Sequence, residues 1–301
     1  MFKHLLVPLD GSPLAESALP VAAFLAEKIS AKVTLLHVVE KEAPLEVHGQ
    51  PHLSSAEEAI TYLNKVSQQW FPKGGMVDCH VHTAETTNVP ESINAHRSEL
   101  GHDLIVMCTH GRGRALHLIL GSMAQKIISM GPIPVLITHP EAKGAGQGFS
   151  CGSILVPLDT DSDHAQAVPI AKELTRACGA TLHLATVVPS FGTLSGQMVA
   201  PSRLLPGTTS KMLDMQVQSA EDYLEAQGGA LRSQGVATEF HVLRGNPAEV
   251  IVDFARQLAI DLIVLATHGR SGMDAFWEGS VAHRICSRSR ISLLLIPVEK
   301  S

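Results

Sequence analysis

Aromatic residues make up only 4% of this 301-residue chain, which leaves few flat rings on which a single-stranded nucleic acid could stack. Positive charge is not in excess either. Ten basic residues stand against fourteen acidic ones in residues 1–142 and thirteen against fifteen thereafter, giving a net charge of −6 and no basic stripe. A nucleic-acid partner, which needs such a stripe to meet phosphates, is therefore not expected. The five cysteines, Cys79, Cys108, Cys151, Cys178 and Cys286, are odd in number, widely spaced and never arranged as C-x-x-C. That indicates neither a disulfide framework nor a zinc ribbon and leads us to expect mostly reduced, buried thiols. Apolar runs are short: "ISLLLIPV" from Ile291 falls far below the roughly 20 residues that cross a bilayer, and "MFKHLLVPLD" at the start lacks a signal-peptide core and cleavage site. A soluble, cytoplasmic protein with no membrane partner is expected.

What is present is written twice. "KHLLVPLD" (3–10) and "GSILVPLD" (152–159) align at a shift of 149, as do "AKVTLLHVV" (31–39) and "ATLHLATVV" (180–188). At "DLIVMCTHGRG" (103–113) and "DLIVLATHGRS" (261–271) the shift is 158, so the second copy has gained nine residues. They are assigned to the Gly/Ser/Pro-rich stretch "PSFGTLSGQMVAPSRLLPG", read as a surface loop. "GPIPVLIT" (131–138) and "SRISLLLI" (289–296) supply a last strand to each copy. Between the strands, "SPLAESALPVAAFLAEKIS", "HAQAVPIAKELTRACG", "SSAEEAITYLNKVSQQW" and "DMQVQSAEDYLEAQGGALRSQG" space apolar residues three and four apart, the helical period. Strands of nearly continuous Val, Ile and Leu alternating with such helices imply a parallel sheet covered on both faces. We expect two α/β domains, 1–140 and 153–301, joined by a glycine-rich linker at 141–152. The last strands would be exposed edges, and pairing them across the domains would remove that hazard. The halves would then pack about an internal pseudo-twofold, an arrangement that also allows two chains to associate as a homodimer.

The stretch "THGRGRALHLILGS" (109–122), with its counterpart "THGRSGMDAFWEGS" (267–280), follows the fourth strand of each half. In an open parallel sheet that is where a ligand crevice lies. Gly111, Gly113 and Gly121 would let backbone amides approach a ligand closely. "GSMAQKIISM" then begins a helix, with Ser122 near its start and a positive end suited to an anion. Arg112, Arg114 and Lys126 add charge to the first loop, whereas Arg270 and Arg284 are balanced by Asp274 and Glu278 in the second. The G-x-x-x-x-G-K-[ST] signature of a P-loop is not present in this loop.

The spacing G-x2-G-x9-G-[ST] after the fourth strand, with "VPLDGS" ending the first strand and "HVV" the second, resembles the universal stress protein family in its tandem form. The resemblance covers both halves apart from the linker and the insertion. It implies two Rossmann-like domains of the adenine nucleotide alpha hydrolase type, each a five-stranded parallel sheet of order 3-2-1-4-5 flanked by helices. It further implies ATP, with or without Mg²⁺, bound in one or both halves, and a nucleotide-responsive regulator of stress response. By position, Asp10 would meet the ribose or adenine, Val38 and Met107 would line the adenine slot, and Gly111, Arg112, Gly121, Ser122 and Met123 would surround the phosphates. The second-half counterparts are Asp159, Val187, Leu265, Gly269, Arg270, Gly279, Ser280 and Val281. Both copies depart from the pattern at the first glycine of the motif, which is Cys108 in one and Ala266 in the other, and each side chain narrows the space for the sugar. The second copy keeps a glycine in "RGNP" (244–247) where the first has "TTNV" (86–89). The alternative is a stress adaptor that binds no nucleotide and works through protein contacts or another small ligand.

Other features admit plainer readings. Asp10 and Asp159 could cap the first helix of their halves, though "DGSP" offers Ser12 followed by Pro13 as a start signal of its own. Among sixteen histidines, His80 and His82 of "CHVH" share a strand face and could be neighbouring metal ligands, but the sequence specifies no third; "HGQPH" (48–52) is a weaker pair. No metal is expected. Cys108 beside arginines could be a redox-sensitive thiol or a buried strand-end cysteine. His110 and His268 have no nucleophile or carboxylate fixed beside them, so a loop-bracing role is expected and no catalytic residue is assigned. "LHLIL" and "AFW" read as apolar faces packing on the neighbouring domain.

Overall fold

The computed structural model describes residues 1–41, 46–47, 50–51, 53, 55–72, 76–108, 121–130, 133–140, 149–159, 165–194, 196, 199–267 and 280–298. In the first half β1 (His4–Pro8) leads to α1 (Pro13–Glu16), α2 (Leu19–Ile29) and β2 (Lys32–Glu40). A small ribbon, β3 (Glu46–Val47) with β4 (Gln50–Pro51), precedes α3 (Ala56–Trp70), β5 (Val77–Thr86), α4 (Val89–Leu100), β6 (Leu104–Cys108), α5 (Ser122–Met130) and β7 (Val135–Thr138). The second half runs β8 (Ser153–Pro157), α6 (Ala167–Cys178), β9 (Thr181–Val188), α7 (Val199–Leu204) and α8 (Pro206–Ser233). It ends with β10 (Thr238–Arg244), α9 (Pro247–Gln257), β11 (Leu262–Thr267), α10 (Val281–Cys286) and β12 (Ser292–Pro297).

Ten strands form one sheet in the order β10-β9-β8-β11-β12-β7-β6-β1-β2-β5. Neighbours within each half are parallel, and the halves meet where β12 pairs antiparallel with β7, Leu294 opposite Leu136. The strand pleat sends alternate residues to opposite faces. Leu5 and Val7 therefore join one apolar cluster, with α2, α3, α6 and α8, while Leu6 joins the other with α4, α5, α9 and α10. Both faces being covered explains why the strands carry unbroken apolar runs.

The duplication extends to a bracket that ties the fourth strand of each half to the first. The Asp103 carboxylate accepts the backbone N–H groups of Lys3 and His4 at 2.8 and 3.0 Å. Asp261 does the same for Gly152 and Ser153 at 2.8 and 3.1 Å. These amides begin β1 and β8, where the ladder has not yet supplied partners, so the "D" of each "DLIV" is a backbone anchor.

Three expectations need correction. The stretch 189–207 is not a plain loop: it holds a 3₁₀ turn at Phe191–Thr193, α7 and the start of α8. Pro206 occupies the first turn of α8, where its missing N–H costs nothing, so proline there marks a helix start. The single helix expected over 12–30 is split, because α1 ends at Glu16 and α2 restarts with Pro20 in its first turn. Of the five thiols, none of them in a disulfide, only Cys151 and Cys286 are fully buried; Cys79, Cys108 and Cys178 are half-buried. In the expected linker, 141–148 lie outside the described residues, while Phe149 is buried edge-on against Phe24 at 5.3 Å.

Candidate functional site

The carboxyl ends of β1, β2 and β6 converge on a cavity of about 210 Å³. Five residues named from the sequence line it together: Asp10, Val38, Met107, Cys108 and Met123. Val38 and Met107 are almost fully buried at 6% exposure each, which makes them apolar walls. The turn after β1 is set by Gly11 at φ +86°, a left-handed conformation, and a Cβ there would stand 2.9 Å from Leu53 Cγ. Asp10 Oδ1 accepts the Ser12 N–H at 2.9 Å, and Ser12 Oγ accepts the Ala15 N–H at 3.1 Å. The helix cap is thus Ser12; Asp10 shapes the turn and faces the cavity with a half-buried carboxylate.

Nine further residues line this cavity that were not singled out beforehand, among them His37, Glu40 and Ile93. His37 is 2% exposed, and its Nδ1–H donates to the Leu9 carbonyl at 2.8 Å, holding the end of β1 to β2. Ile93 reaches in from α4. His37 opens the "HVV" stretch and was legible there as a neighbour of Val38, whereas no sequence signal ties α4 to this rim. Burial pushes the Cys108 thiol up to about 11, so it is a protonated side chain at neutral pH. That favours its reading as a packed strand-end cysteine over a reactive thiolate. Gly121 is buried and its carbonyl accepts the Gln125 N–H at 3.0 Å, which puts glycine at the cap of α5 and exposed Ser122 one position inside the helix.

In the second half, Leu265 is buried and Val187 half-buried in the same apolar layer. Asp159 and Val281 are exposed, and Ala266 is half-buried. Ser280 caps α10, its Oγ accepting the His283 N–H at 3.0 Å. Gly245 adopts φ +141°, and a Cβ there would meet Val250 Cγ2 at 2.7 Å. Glycine is therefore required in "RGNP", while the first half turns the corresponding corner with Thr87 and a bond from the Asn88 N–H to Thr86 Oγ1 at 3.0 Å. Gly111, Arg112, Gly113, Arg114, Gly269, Arg270 and Gly279 lie outside the described residues. So do His110, His268, Asp274, Glu278, His48, His52 and the "LHLIL" and "AFW" segments.

At the edge strand β5, His80 and His82 turn toward α4 and meet His96. The His82 Nδ1 to His96 Nε2 separation is 2.9 Å, and the His80 and His96 rings stand edge to face at 4.8 Å. His96 is fourteen residues from His82, so only the fold brings it there.

A ten-stranded sheet made of two parallel halves, each with helices on both faces, is the architecture of a tandem α/β protein. The family model described as "Universal stress protein family" matches residues 1–139 and again 152–297. The chain belongs to the universal stress protein family. The universal stress protein E homolog of Haemophilus influenzae is 24% identical over 334 aligned positions, covering 99% of this chain and 98% of that protein. A functionally unknown protein of Pseudomonas aeruginosa PAO1 superposes with a TM-score of 0.71 at 19% identity, covering 99% of this chain and 93% of the other. A universal stress protein of Archaeoglobus fulgidus superposes with a TM-score of 0.64 at 16% identity, covering 99% and 97%. No helix among the described residues is long and apolar enough to cross a membrane.

Proposed function

We propose that the first half binds an adenine nucleotide at the carboxyl ends of its strands, and that occupancy alters the conformation or partners of a cytoplasmic stress-response regulator. One observation carries this reading: the cavity holds a carboxylate at Asp10 and apolar walls at Val38 and Met107, with the start of α5 at Met123 on its border. Asp10 would accept from ribose hydroxyls, and Val38 and Met107 would sandwich the base. The cavity is smaller than the roughly 300–1,000 Å³ of common ligand pockets. In this reading it would take the base and sugar, and the triphosphate would be left to Gly111, Arg112, Gly121, Ser122 and the N–H groups that open α5. Mg²⁺ would sit on the phosphates. The matching set in the second half, Asp159, Val187, Leu265, Ala266, Gly269, Arg270, Gly279, Ser280 and Val281, is proposed as the weaker site, because its loop charges cancel. The sequence assigns no catalytic base, so the nucleotide is proposed as a ligand and not as a substrate.

Calorimetric titration with ATP and Mg²⁺, followed by mass spectrometry of ligands released on denaturation, tests the proposal. Binding in the micromolar range, weakened at least about tenfold by Asp10→Ala, is expected. Cys108→Gly should tighten it about fivefold, the equivalent of roughly 1 kcal/mol of relieved crowding. If no nucleotide copurifies and none binds at millimolar concentration, the adaptor reading replaces this one. That second reading has its own support in the exposed apolar side chains of Leu204, Leu205 and Met215 on and between α7 and α8. Mg²⁺-dependent turnover lost on filling Gly121 and Gly279 with bulky residues would instead make it a hydrolase.

A further inference from the structure

At the far end of the ten-strand order from the first-half cavity, β9 and β10 gather side chains that the nucleotide reading leaves unused. Glu239 pairs in register with His183 across β10 and β9, and His241 follows two residues on. The pleat therefore puts all three side chains on one face, the face that α9 covers, where the Phe254 ring lies 4.7 Å from His241. Among the described residues this is the group of three ligating side chains whose donor atoms all fall within 4.8 Å of one another. His183 Nδ1 lies 3.2 Å from His241 Nε2 and 3.5 Å from Glu239 Oε2, and His241 Nε2 lies 3.9 Å from that same oxygen.

These spacings can be compared with those of a shared proton and of a metal ion. A proton between two imidazoles joins two of the three atoms, and the carboxylate distances exceed a good N–H···O bond of about 2.7–3.2 Å. A tetrahedral zinc with ligands at about 2.0–2.1 Å holds them about 3.3–3.4 Å from each other, which the three separations bracket. His183 is the inner anchor at 7% exposure, while Glu239 is mostly exposed, so the fourth coordination position opens to water at the sheet edge.

The duplicated half supplies a control. At the corresponding positions it has Thr34, Asp78 and His80. Asp78 is paired with Lys32, and Thr34 Oγ1 bonds His4 Nε2 at 2.8 Å. One donor is lost and another is engaged elsewhere, so the set belongs to the second half alone.

We infer that His183, Glu239 and His241 form a zinc-binding site that clamps the edge strand β10 to β9. Two imidazoles and a carboxylate are borderline and hard donors that suit Zn²⁺ among the common divalent ions. The site does not depend on nucleotide binding, and it can be tested with ATP absent.

Tag-free full-length protein stripped with a chelator would be titrated with ZnCl₂ against a chromophoric zinc competitor. About one equivalent is expected to bind at about 10 μM or tighter. Glu239→Gln and His241→Gln, both at partly exposed positions, should each weaken binding by roughly tenfold or more. His82→Gln in the first half should leave it unchanged. Co²⁺ should give the visible bands of four-coordinate cobalt in the native protein and not in His241→Gln, with circular dichroism verifying that the variant is folded. Zinc held by the Glu239→Gln/His241→Gln double variant as tightly as by the native chain would overturn the inference. So would the absence of saturable binding up to about 100 μM, or loss of binding in His82→Gln instead.

Discussion

His102 and His139 are 5% and 4% exposed. Burial, reinforced by the His4 ring 3.9 Å away, depresses the His102 imidazole to about 4, and burial with Arg290 depresses His139 to about 4. In the unfolded chain each would titrate near 6.5. Between those values the unfolded state binds more protons than the folded one, so stability must fall as the pH falls through that window. The loss should reach about 2 kcal/mol per histidine at pH 5 and up to about 3 below pH 4. Urea unfolding at pH 7.5 and pH 5 measures it, and His139→Gln should shrink the difference by about the contribution of one histidine. Equal stability at both pH values would refute the assignment. The same residue-scale physics explains why Cys108, beside the loop, is better read as packing than as a sensor: a thiol raised to about 11 is not a nucleophile at neutral pH.

The elements depend on small anchors more than on propensity. Asp103 and Asp261 each accept two backbone N–H groups at the start of a strand that the ladder leaves open. Charge-assisted bonds of this kind, partly exposed, are worth about 1–2 kcal/mol. Asp103→Ala should lower stability by that much and raise amide exchange at Lys3 and His4 first, and Asp261→Ala should do the same at Gly152 and Ser153. Exchange that rises evenly along β1 would mean the carboxylate is not the anchor. These aspartates stood in plain sight in "DLIV", yet their role was not legible, because it needs β1 and β6 side by side. The duplicated α/β fold was legible, since strand hydrophobicity and helical spacing are local signals and each appears twice. Five of the residues named for the first-half site meet at one cavity because they all end or follow strands of one sheet edge. His96 and the His183, Glu239 and His241 group were illegible, since they form only through strand register or the packing of a helix on an edge strand. The helix at 199–204 was missed because glycine and proline were weighed as loop formers, although proline is also at home in a first helical turn.

At the scale of the molecule, the antiparallel seam between β7 and β12 makes two duplicated halves into one sheet. Val135, Leu136 and Ile137 face Leu295, Leu294 and Leu293, and every one of these six is at most 1% exposed. Neither last strand presents an open edge in this arrangement, and the apolar clusters on both faces draw on both halves. A defect at the seam should therefore be felt on both sides of it. Leu294→Ala removes a buried side chain at a cost of about 2–5 kcal/mol. Native-state hydrogen exchange should then show protection falling together in β1 and β8, which lie in different halves. Leu213→Ala, in the small cluster formed with Val188 and Ala220, provides the contrast, for its loss should be confined to α8 and the end of β9. If Leu294→Ala loosens only residues after 152, the halves are independent domains that merely touch, and the seam is not the structural link between them.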